Sequence, residues 1–202
     1  MEVGGNPRVI VLFDGYSKTG ENFTLANCTC TLIKGPPHVI VDTMTAWDGE
    51  KIRKALAENH LNCDSIDFVV CTHGHSDHIG CNYLFPKAVH IVGFCISSGD
   101  KYFEHDFTSG QEYVVSDKVT VIPTPGHTMQ DVSVIVRSCN GVVAITGDLF
   151  EKEEDLRDDR IWKSAGSDNE ELQVKNRKKI LEMADFVVPG HGPLFKIDKQ
   201  EV

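Results

Sequence analysis

The sequence lacks any apolar run of the roughly 20 residues that are needed to span a bilayer. Residues 1–8 also lack the basic and apolar regions of a signal peptide. The seven cysteines are odd in number and irregularly spaced, which argues against a disulfide framework. We therefore expect a protein of the cytoplasm or nucleus, with reduced thiols and no membrane partner.

Positive charge is also scarce in this chain. It contains 20 lysines and arginines against 30 aspartates and glutamates, so the formal net charge is -10. A protein that binds nucleic acid along a broad face is normally basic. The composition therefore argues against extended non-specific nucleic-acid binding, while it is compatible with a local site for an anion.

The rest of the composition fits one globular domain that covers residues 1–202. Hydrophobic residues make up 41% of the chain, which is the ordinary share for a globular protein. Short apolar runs bounded by glycine, proline or charged residues predict strands. These runs are residues 8–14, 23–34, 38–41, 66–70, 88–92, 112–115, 118–122, 132–136, 142–146 and 186–188.

Helices are predicted between several of these strands. One follows Asp48, where Thr45 and Asp48 resemble a capping pair, and another starts at His78. Residues 151–183 are charged and mostly helical in pattern, and residues 167–170 match a capping box. Two halves of strands followed by helices predict an α/β fold, in which two sheets pack face to face with helices outside in a four-layer αββα sandwich.

Three segments are expected to lie at the surface. Residues 94–110 are predicted to be an irregular loop over the site. The acidic run at residues 151–155 is predicted to be solvated. So is the basic helix face formed by Lys175, Arg177, Lys178 and Lys179, for which contact with phosphates is the alternative.

A compact motif carries the chemistry. The pattern H-x-H-x-D-H at residues 73–78 contains His73, His75, Asp77 and His78, and it directly follows a predicted buried strand. Imidazole and carboxylate together suit zinc, iron or manganese. Side chains this close cannot all face one ion at unstrained geometry, so the motif predicts two adjacent ions.

Further ligand-type residues also follow apolar strands. They are Asp42, His127, Asp148 and His191, and most of them have glycine neighbours. A rigid sheet holds ligands at strand ends in place, while glycine lets loop backbone crowd a small site. Among the other histidines, His105, next to Asp106, is the one hypothesised as a proton donor to a leaving group.

These motifs resemble the metallo-β-lactamase fold hydrolases, over essentially the whole chain. The resemblance implies that one ion is bound by His73, His75 and His127, that the other is bound by Asp77, His78 and His191, and that Asp148 bridges them. It also implies that Asp77 acts in catalysis by orienting the attacking water or carrying its proton, and that Asp42 holds the ligand loop by hydrogen bonds. The implied cofactors are two divalent ions, zinc before iron or manganese.

The residues flanking the motifs resemble one branch of this family. That resemblance implies an endoribonuclease acting on single-stranded RNA, at the 3′ ends of histone pre-mRNA. A glyoxalase II-like thioesterase is the alternative, although that group uses a helical domain for which the residues after His191 leave no room. A non-catalytic metal-binding scaffold is a third hypothesis, and the complete ligand set argues against it. Exposed strand edges would permit a homodimer.

Overall fold

The strands and helices are described for residues 6–200 of a computed structural model. In chain order the strands are β1 (Arg8–Phe13), β2 (Tyr16–Thr19), β3 (Thr24–Asn27), β4 (Cys30–Lys34), β5 (Val39–Val41), β6 (Phe68–Cys71), β7 (Val89–Val92), β8 (Cys95–Ser98), β9 (Lys101–Phe103), β10 (Tyr113–Val114), β11 (Val119–Pro123), β12 (Val132–Ser138), β13 (Gly141–Gly147), β14 (Phe186–Pro189) and β15 (Phe195–Lys196). The α-helices are α1 (Gly49–Glu58), α2 (Ser76–Ile79), α3 (Arg160–Ala165) and α4 (Glu170–Met183).

Two sheets contain most of these strands. The first has the spatial order β1-β4-β5-β6-β7-β8-β9, the second has the order β10-β11-β12-β13-β14-β15, and β2 pairs with β3 in a separate hairpin. Strands β5, β6 and β7 run parallel, as do β13 and β14. The carboxyl ends of parallel neighbours meet at the same edge of a sheet, so the loops that follow these strands can build one site.

Alternation along the strands explains why the two sheets face each other. In β5, Val39 and Val41 point into the core between the sheets, whereas Ile40 points to the outer face of the first sheet. Val134 and Ile145 of the second sheet complete the same inner core. Each fully buried aliphatic side chain contributes roughly 1.5–3 kcal/mol, so this shared core holds the sheets together.

Helices cover both outer faces. Ile52 and Leu56 of α1 pack with Ile40 against the first sheet, and Ile180 of α4 packs with Ile135 against the second. The layers are therefore helix, sheet, sheet and helix, which confirms the predicted αββα sandwich. None of the helices in residues 6–200 has the length and apolar character that crossing a bilayer requires.

The predicted strand at residues 23–34 is two strands. Between β3 and β4 the backbone N–H of Thr29 donates to the carbonyl of Gly190 at 2.6 Å, and the Thr29 hydroxyl donates to the carbonyl of Gly192 at 2.9 Å. The chain thus leaves the strand ladder to bond the loop around His191. A contact 161 or more residues away in the sequence could not be inferred from a local pattern.

Only part of residues 94–110 is an irregular loop: residues 95–103 form two strands, whereas residues 104–110 contain a single 3-10 turn at Phe107–Ser109. Strands β8 and β9 form a hairpin at the edge of the first sheet, with Ser98 opposite Lys101. Gly99, at a φ of +60°, supplies the backbone conformation that a two-residue hairpin turn requires. The loop prediction is wrong for residues 95–103, because Gly99 is the turn residue of a hairpin and the serines before it belong to β8.

The helix starts also differ from the predicted caps. Thr45 does not cap α1; its hydroxyl donates to the carboxylate of Asp48 at 2.5 Å. Helix α4 is capped by Asn169, whose side chain accepts from the N–H of Leu172 at 3.0 Å. The helix expected from His78 is short, because α2 ends at Ile79 and a separate 3-10 turn follows at Asn82–Leu84.

Two residues of the supposedly solvated faces form a buried ion pair. The guanidinium of Arg177, on α4, donates to both carboxylate oxygens of Asp155 at 2.7 and 3.1 Å, and to the carbonyl of Leu149 at 2.8 Å. Phe150 lies under the guanidinium, 4.2 Å from its carbon. The predicted solvation was therefore wrong for Arg177 and Asp155, because α4 docks on the segment that follows β13.

Candidate metal centre

The predicted ligands follow the carboxyl ends of four strands. After β6, the loop carries His73 and His75 and the short helix α2 carries Asp77 and His78. The loops after β11, β13 and β14 carry His127, Asp148 and His191. All seven come together in two adjoining groups, within each of which the ligand atoms lie within 4.8 Å of one another. The first group is His73, His75, His127 and Asp148, and the second is Asp77, His78 and His191.

Three ring nitrogens converge in the first group. Nε2 of His73 lies 2.8 Å from Nδ1 of His75, which lies 3.1 Å from Nε2 of His127. Neutral imidazoles arranged in this way cannot all satisfy one another by hydrogen bonds, whereas a shared cation would satisfy all three. Burial lowers the pKa of His73 well below its usual value and also lowers the pKa of His75, which favours the neutral form that binds metal.

Asp148 lies between the two groups. Its Oδ1 is 3.2 Å from Nε2 of His78, and its Oδ2 is 3.3 Å from Nε2 of His191 and 3.4 Å from Nε2 of His127. Although burial opposes ionisation, the imidazoles of His78 and His191 hold the pKa of Asp148 well below its usual range. A carboxylate in this position can bridge two cations.

The second group and the bridging Asp148 contain buried polar atoms that no protein group satisfies. Among the described residues, Nε2 of His78 and Oδ1 of Asp148 have no partner with hydrogen-bond geometry. Burial disfavours the charged imidazoles, yet Asp148 raises the pKa of His191 to about 9, and Asp148 and Asp42 raise that of His78. Buried imidazole and carboxylate atoms left without partners are the donor set that a divalent ion needs, so the residues fit a metal centre.

The other nitrogen of each buried ligand histidine has its own partner. Nδ1 of His127 lies 2.7 Å from the carbonyl of Gly166, and Nδ1 of His191 lies 3.1 Å from the carbonyl of Asn27. Such outer partners fix the ring orientation and leave the opposite nitrogen for the ion. Gly190 permits the close approach of this loop, since a Cβ there would collide with the carboxylate of Asp148.

Asp42 serves the ring of His78 in this way. Its Oδ2 accepts from Nδ1 of His78 at 3.0 Å, and its Oδ1 accepts from the N–H of Thr72 at 2.8 Å. The hydroxyl of Thr72 in turn contacts Nδ1 of His73 at 3.1 Å. The buried Asp42 therefore holds the start of the H-x-H-x-D-H motif and the ring of His78 by hydrogen bonds.

A cleft of about 490 Å³ opens onto the cluster. It is lined by Ser17, Thr19, Thr24, Ala26, His75, Asp77, His127, Asp148, Glu151, Lys152, Ile161, Ser164, Ala165 and His191. Hairpin β2–β3 forms one wall, and three of its four lining residues, Ser17, Thr19 and Thr24, carry hydroxyls. Lys152 is the one lysine or arginine in this lining, so the cleft has a single fixed cation besides any bound metal.

The structure differs from the sequence analysis at two residues: Glu151, which was not predicted to belong to the site, lies in it, and His105, the hypothesised proton donor, lies outside it. Glu151 is buried beside Asp148 and His191, and burial, with the nearby charge of Asp148, raises its pKa to about 8. His105 lies outside the cleft lining: its ring packs against Phe107 and Tyr113. Glu151 was missed because it begins an acidic run of the kind that is usually solvated.

The chain belongs to the metallo-beta-lactamase superfamily, whose family model matches residues 23–191. The resemblance of the motifs to this family is thereby confirmed, and with it the class of metal-dependent hydrolases.

Within the superfamily, the chain is 38% identical over 202 residues to metallo-beta-lactamase domain-containing protein 1 of Xenopus laevis, covering 98% of this chain and 85% of the frog protein. It is 40% identical over 168 residues to the human protein of the same name, covering 81% of this chain and 60% of the human protein. The fold also matches the structure of an N-acyl homoserine lactone hydrolase with its product bound at the catalytic metal centre. That match has a TM-score of 0.66 and 16% identity, and it covers 93% of each chain.

Proposed function

We propose that the protein is a dinuclear metal-dependent hydrolase that cleaves phosphodiester bonds in single-stranded RNA. The family and the two adjoining ligand groups support the metal-dependent hydrolase. The observation that carries the RNA substrate is the polar cleft over those groups, which offers hydroxyls and one lysine beside the ligands.

The two ligand groups and the bridging Asp148 would hold the ions, zinc by preference for imidazole-rich sites, with iron or manganese as alternatives. When bound, two such ions supply Lewis acidity and an activated water. Asp77 is the ligand carboxylate that the cleft exposes most, with 18% of its side chain accessible against 6% for Asp148. This exposure supports the proposal that Asp77 orients a water molecule or accepts its proton.

Lys152 and the hydroxyls of the hairpin wall fit a ribose-phosphate chain. Among residues 6–200 no acidic side chain lies within ion-pair distance of Lys152, so its ammonium is available for a phosphate oxygen next to the scissile bond. Ser17 and Thr19 alternate with outward residues along β2, and both face the cleft. Hydroxyls are suitable partners for the 2′-OH, which distinguishes RNA from DNA.

The test compares turnover of a short single-stranded RNA, the matching DNA and an acyl-glutathione thioester by zinc-loaded protein. Wild type should cleave the RNA, and His73→Ala should abolish cleavage because it removes a ligand of the first group. Lys152→Gln should raise KM for RNA about 10-fold or more with little change in kcat, since a hydrogen bond to a charged group is worth roughly 1.5–3 kcal/mol. Lys54→Gln, which alters a lysine that is 81% exposed on α1, is the matched control.

Salt dependence adds a second readout. Proteins that neutralise 6–10 phosphates lose about 10³–10⁵ in affinity between 50 and 200 mM salt. With one lysine in the cleft, RNA affinity should fall much less steeply. Fast thioester turnover, with no RNA cleavage above the background of His73→Ala, would refute the RNA substrate and support the thioesterase alternative.

A further inference from the structure

Glu151 is a buried carboxylate on the wall of the cleft with no protein partner for one oxygen. The residue is 4% exposed, and Oε1 has no hydrogen-bond partner among the described residues. Its backbone is fixed at both polar groups: the N–H donates to the carboxylate of Asp155 at 2.7 Å, and the carbonyl accepts from the N–H of His191 at 2.9 Å. The carboxylate is therefore held beside the second ligand group by the chain itself.

The position of His191 shows which ion Glu151 approaches. Ligand atoms of Asp148, Glu151 and His191 lie within 4.8 Å of one another. Nδ1 of His191 faces the carbonyl of Asn27, so Nε2 is the nitrogen available to a cation. That same Nε2 lies 3.8 Å from Oδ2 of Asp77. Because His191 belongs both to the group with Asp77 and to the group with Glu151, Glu151 adjoins the second ion position on the side of Asp148 and His191.

Protein cations do not satisfy this carboxylate. Arg177, the buried arginine nearby, is bonded to Asp155 and to the carbonyl of Leu149. Within residues 6–200 no lysine or arginine lies within ion-pair distance of Glu151. Buried carboxylates in proteins are paired, hydrogen-bonded or bound to metal, because an isolated buried charge is costly.

We propose that Glu151 is an additional ligand of the ion held by Asp77, His78, His191 and Asp148. This inference rests on the proposed two-ion site and is independent of the substrate. The first position would then have three imidazoles and one carboxylate, and the second would have two imidazoles and three carboxylates. Because carboxylate suits manganese better than imidazole does, the second position favours a harder divalent ion than the first.

The experiment measures metal binding without any substrate. Metal-stripped wild type, Glu151→Gln and the control Glu154→Gln, which changes an exposed residue of the same segment, are titrated with Zn²⁺ and with Mn²⁺ by calorimetry. Glu151→Gln keeps the shape of the side chain and removes its charge. The affinity for the second ion should fall by at least the roughly 10–100-fold that the loss of an outer partner costs, and it should fall more for Mn²⁺ than for Zn²⁺. The affinity for the first ion should be unchanged.

Co²⁺ substitution gives an independent readout. Loss of one ligand lowers the coordination number of the second ion, so visible absorption by the second equivalent of Co²⁺ should become stronger in Glu151→Gln. Unchanged affinities together with an unchanged Co²⁺ spectrum would overturn the proposal. If Glu151→Gln does not fold, Glu151→Asp decides, because it keeps the charge but withdraws the carboxylate. Weakened second-ion binding in that variant supports the proposal, and wild-type binding overturns it.

Failure of this inference is distinguishable from failure of the proposed function. Absence of RNA cleavage, with a second ion that depends on Glu151, would overturn the RNA substrate and leave the ligand assignment standing. A wild-type chain that binds only one ion at saturating metal would overturn both the two-ion site and the role of Glu151.

Discussion

Replacing Asp42 by asparagine should weaken the binding of the second ion without unfolding the chain. Asp42 has a φ of +58°, in the left-handed region that asparagine tolerates, so the substitution preserves the backbone. The carboxamide keeps one oxygen that can accept from the N–H of Thr72. Its NH₂ group cannot accept the hydrogen bond that Oδ2 now accepts from Nδ1 of His78 at 3.0 Å.

The consequence falls on the tautomer of His78. With the NH₂ group of the introduced asparagine facing the ring, a hydrogen bond forms only if Nδ1 of His78 accepts it. The ring proton then moves to Nε2, the nitrogen that lies 3.2 Å from Oδ1 of Asp148. A protonated Nε2 cannot bind a cation. Loss of an outer partner of this kind costs roughly 10–100-fold in metal affinity, or about 1.4–2.7 kcal/mol. The first ion should be spared, because Asp42 reaches the ring of His73 only through the hydroxyl of Thr72, which can still donate to the carboxamide oxygen.

Calorimetric titration of metal-stripped protein with zinc separates the two ions. Asp42→Asn should show one site of wild-type affinity and one weakened site. The control is Asp64→Asn, which changes an exposed carboxylate that is paired with Lys87 at 2.7 Å, and it should bind both ions normally. Two ions bound by Asp42→Asn with wild-type affinity would refute the argument that Asp42 sets the tautomer of His78.

Three other changes test the rest of the structure. Arg177→Met should lower the free energy of unfolding by about 3–5 kcal/mol in denaturant titrations, because it leaves the carboxylate of Asp155 buried and unpaired; the exposed-site control Lys178→Met should not. The metal-stripped protein should lose thermal stability between about pH 6.5 and 9. The folded state raises the pKa of His191 to about 9 and that of Glu151 to about 8, so it binds more protons than the unfolded state in this range. The stabilisation from these protons is lost as the pH rises. A melting temperature that is flat or rises over that range would contradict these pKa values. His105→Ala should leave RNA cleavage close to the wild-type rate, since the ring lies outside the cleft lining, and a large loss of kcat would contradict that placement.

The candidate ligands could be singled out from the sequence because each is marked locally. His73, His75 and His78 lie in one short motif after an apolar run, and a glycine precedes both His127 and His191. The layered fold was accessible for the same reason, since alternation and strand length are local properties. The sequence thus predicts the positions at which a ligand-type residue follows the end of a strand.

Residues whose burial depends on distant partners could not be predicted. Glu151 and Asp155 belong to a run of charges that is solvated in most proteins, and nothing nearby shows that Arg177 will dock on it. The break between β3 and β4 depends on the carbonyl of Gly190, at the far end of the chain. In each case the decisive contact is tertiary, and it overrides the local pattern.

Contacts between residues far apart in the sequence connect the packing of α4 to the candidate metal centre. The carboxylate of Asp155 accepts both from the guanidinium of Arg177 on α4 and from the backbone N–H of Glu151. The carbonyl of Glu151 in turn holds the N–H of His191. A continuous chain of hydrogen bonds thus runs from α4 to a ligand of the second ion. Loss of Arg177 should therefore weaken that ion as well as the fold, whereas loss of Lys178, on the exposed face of the same helix, should affect neither.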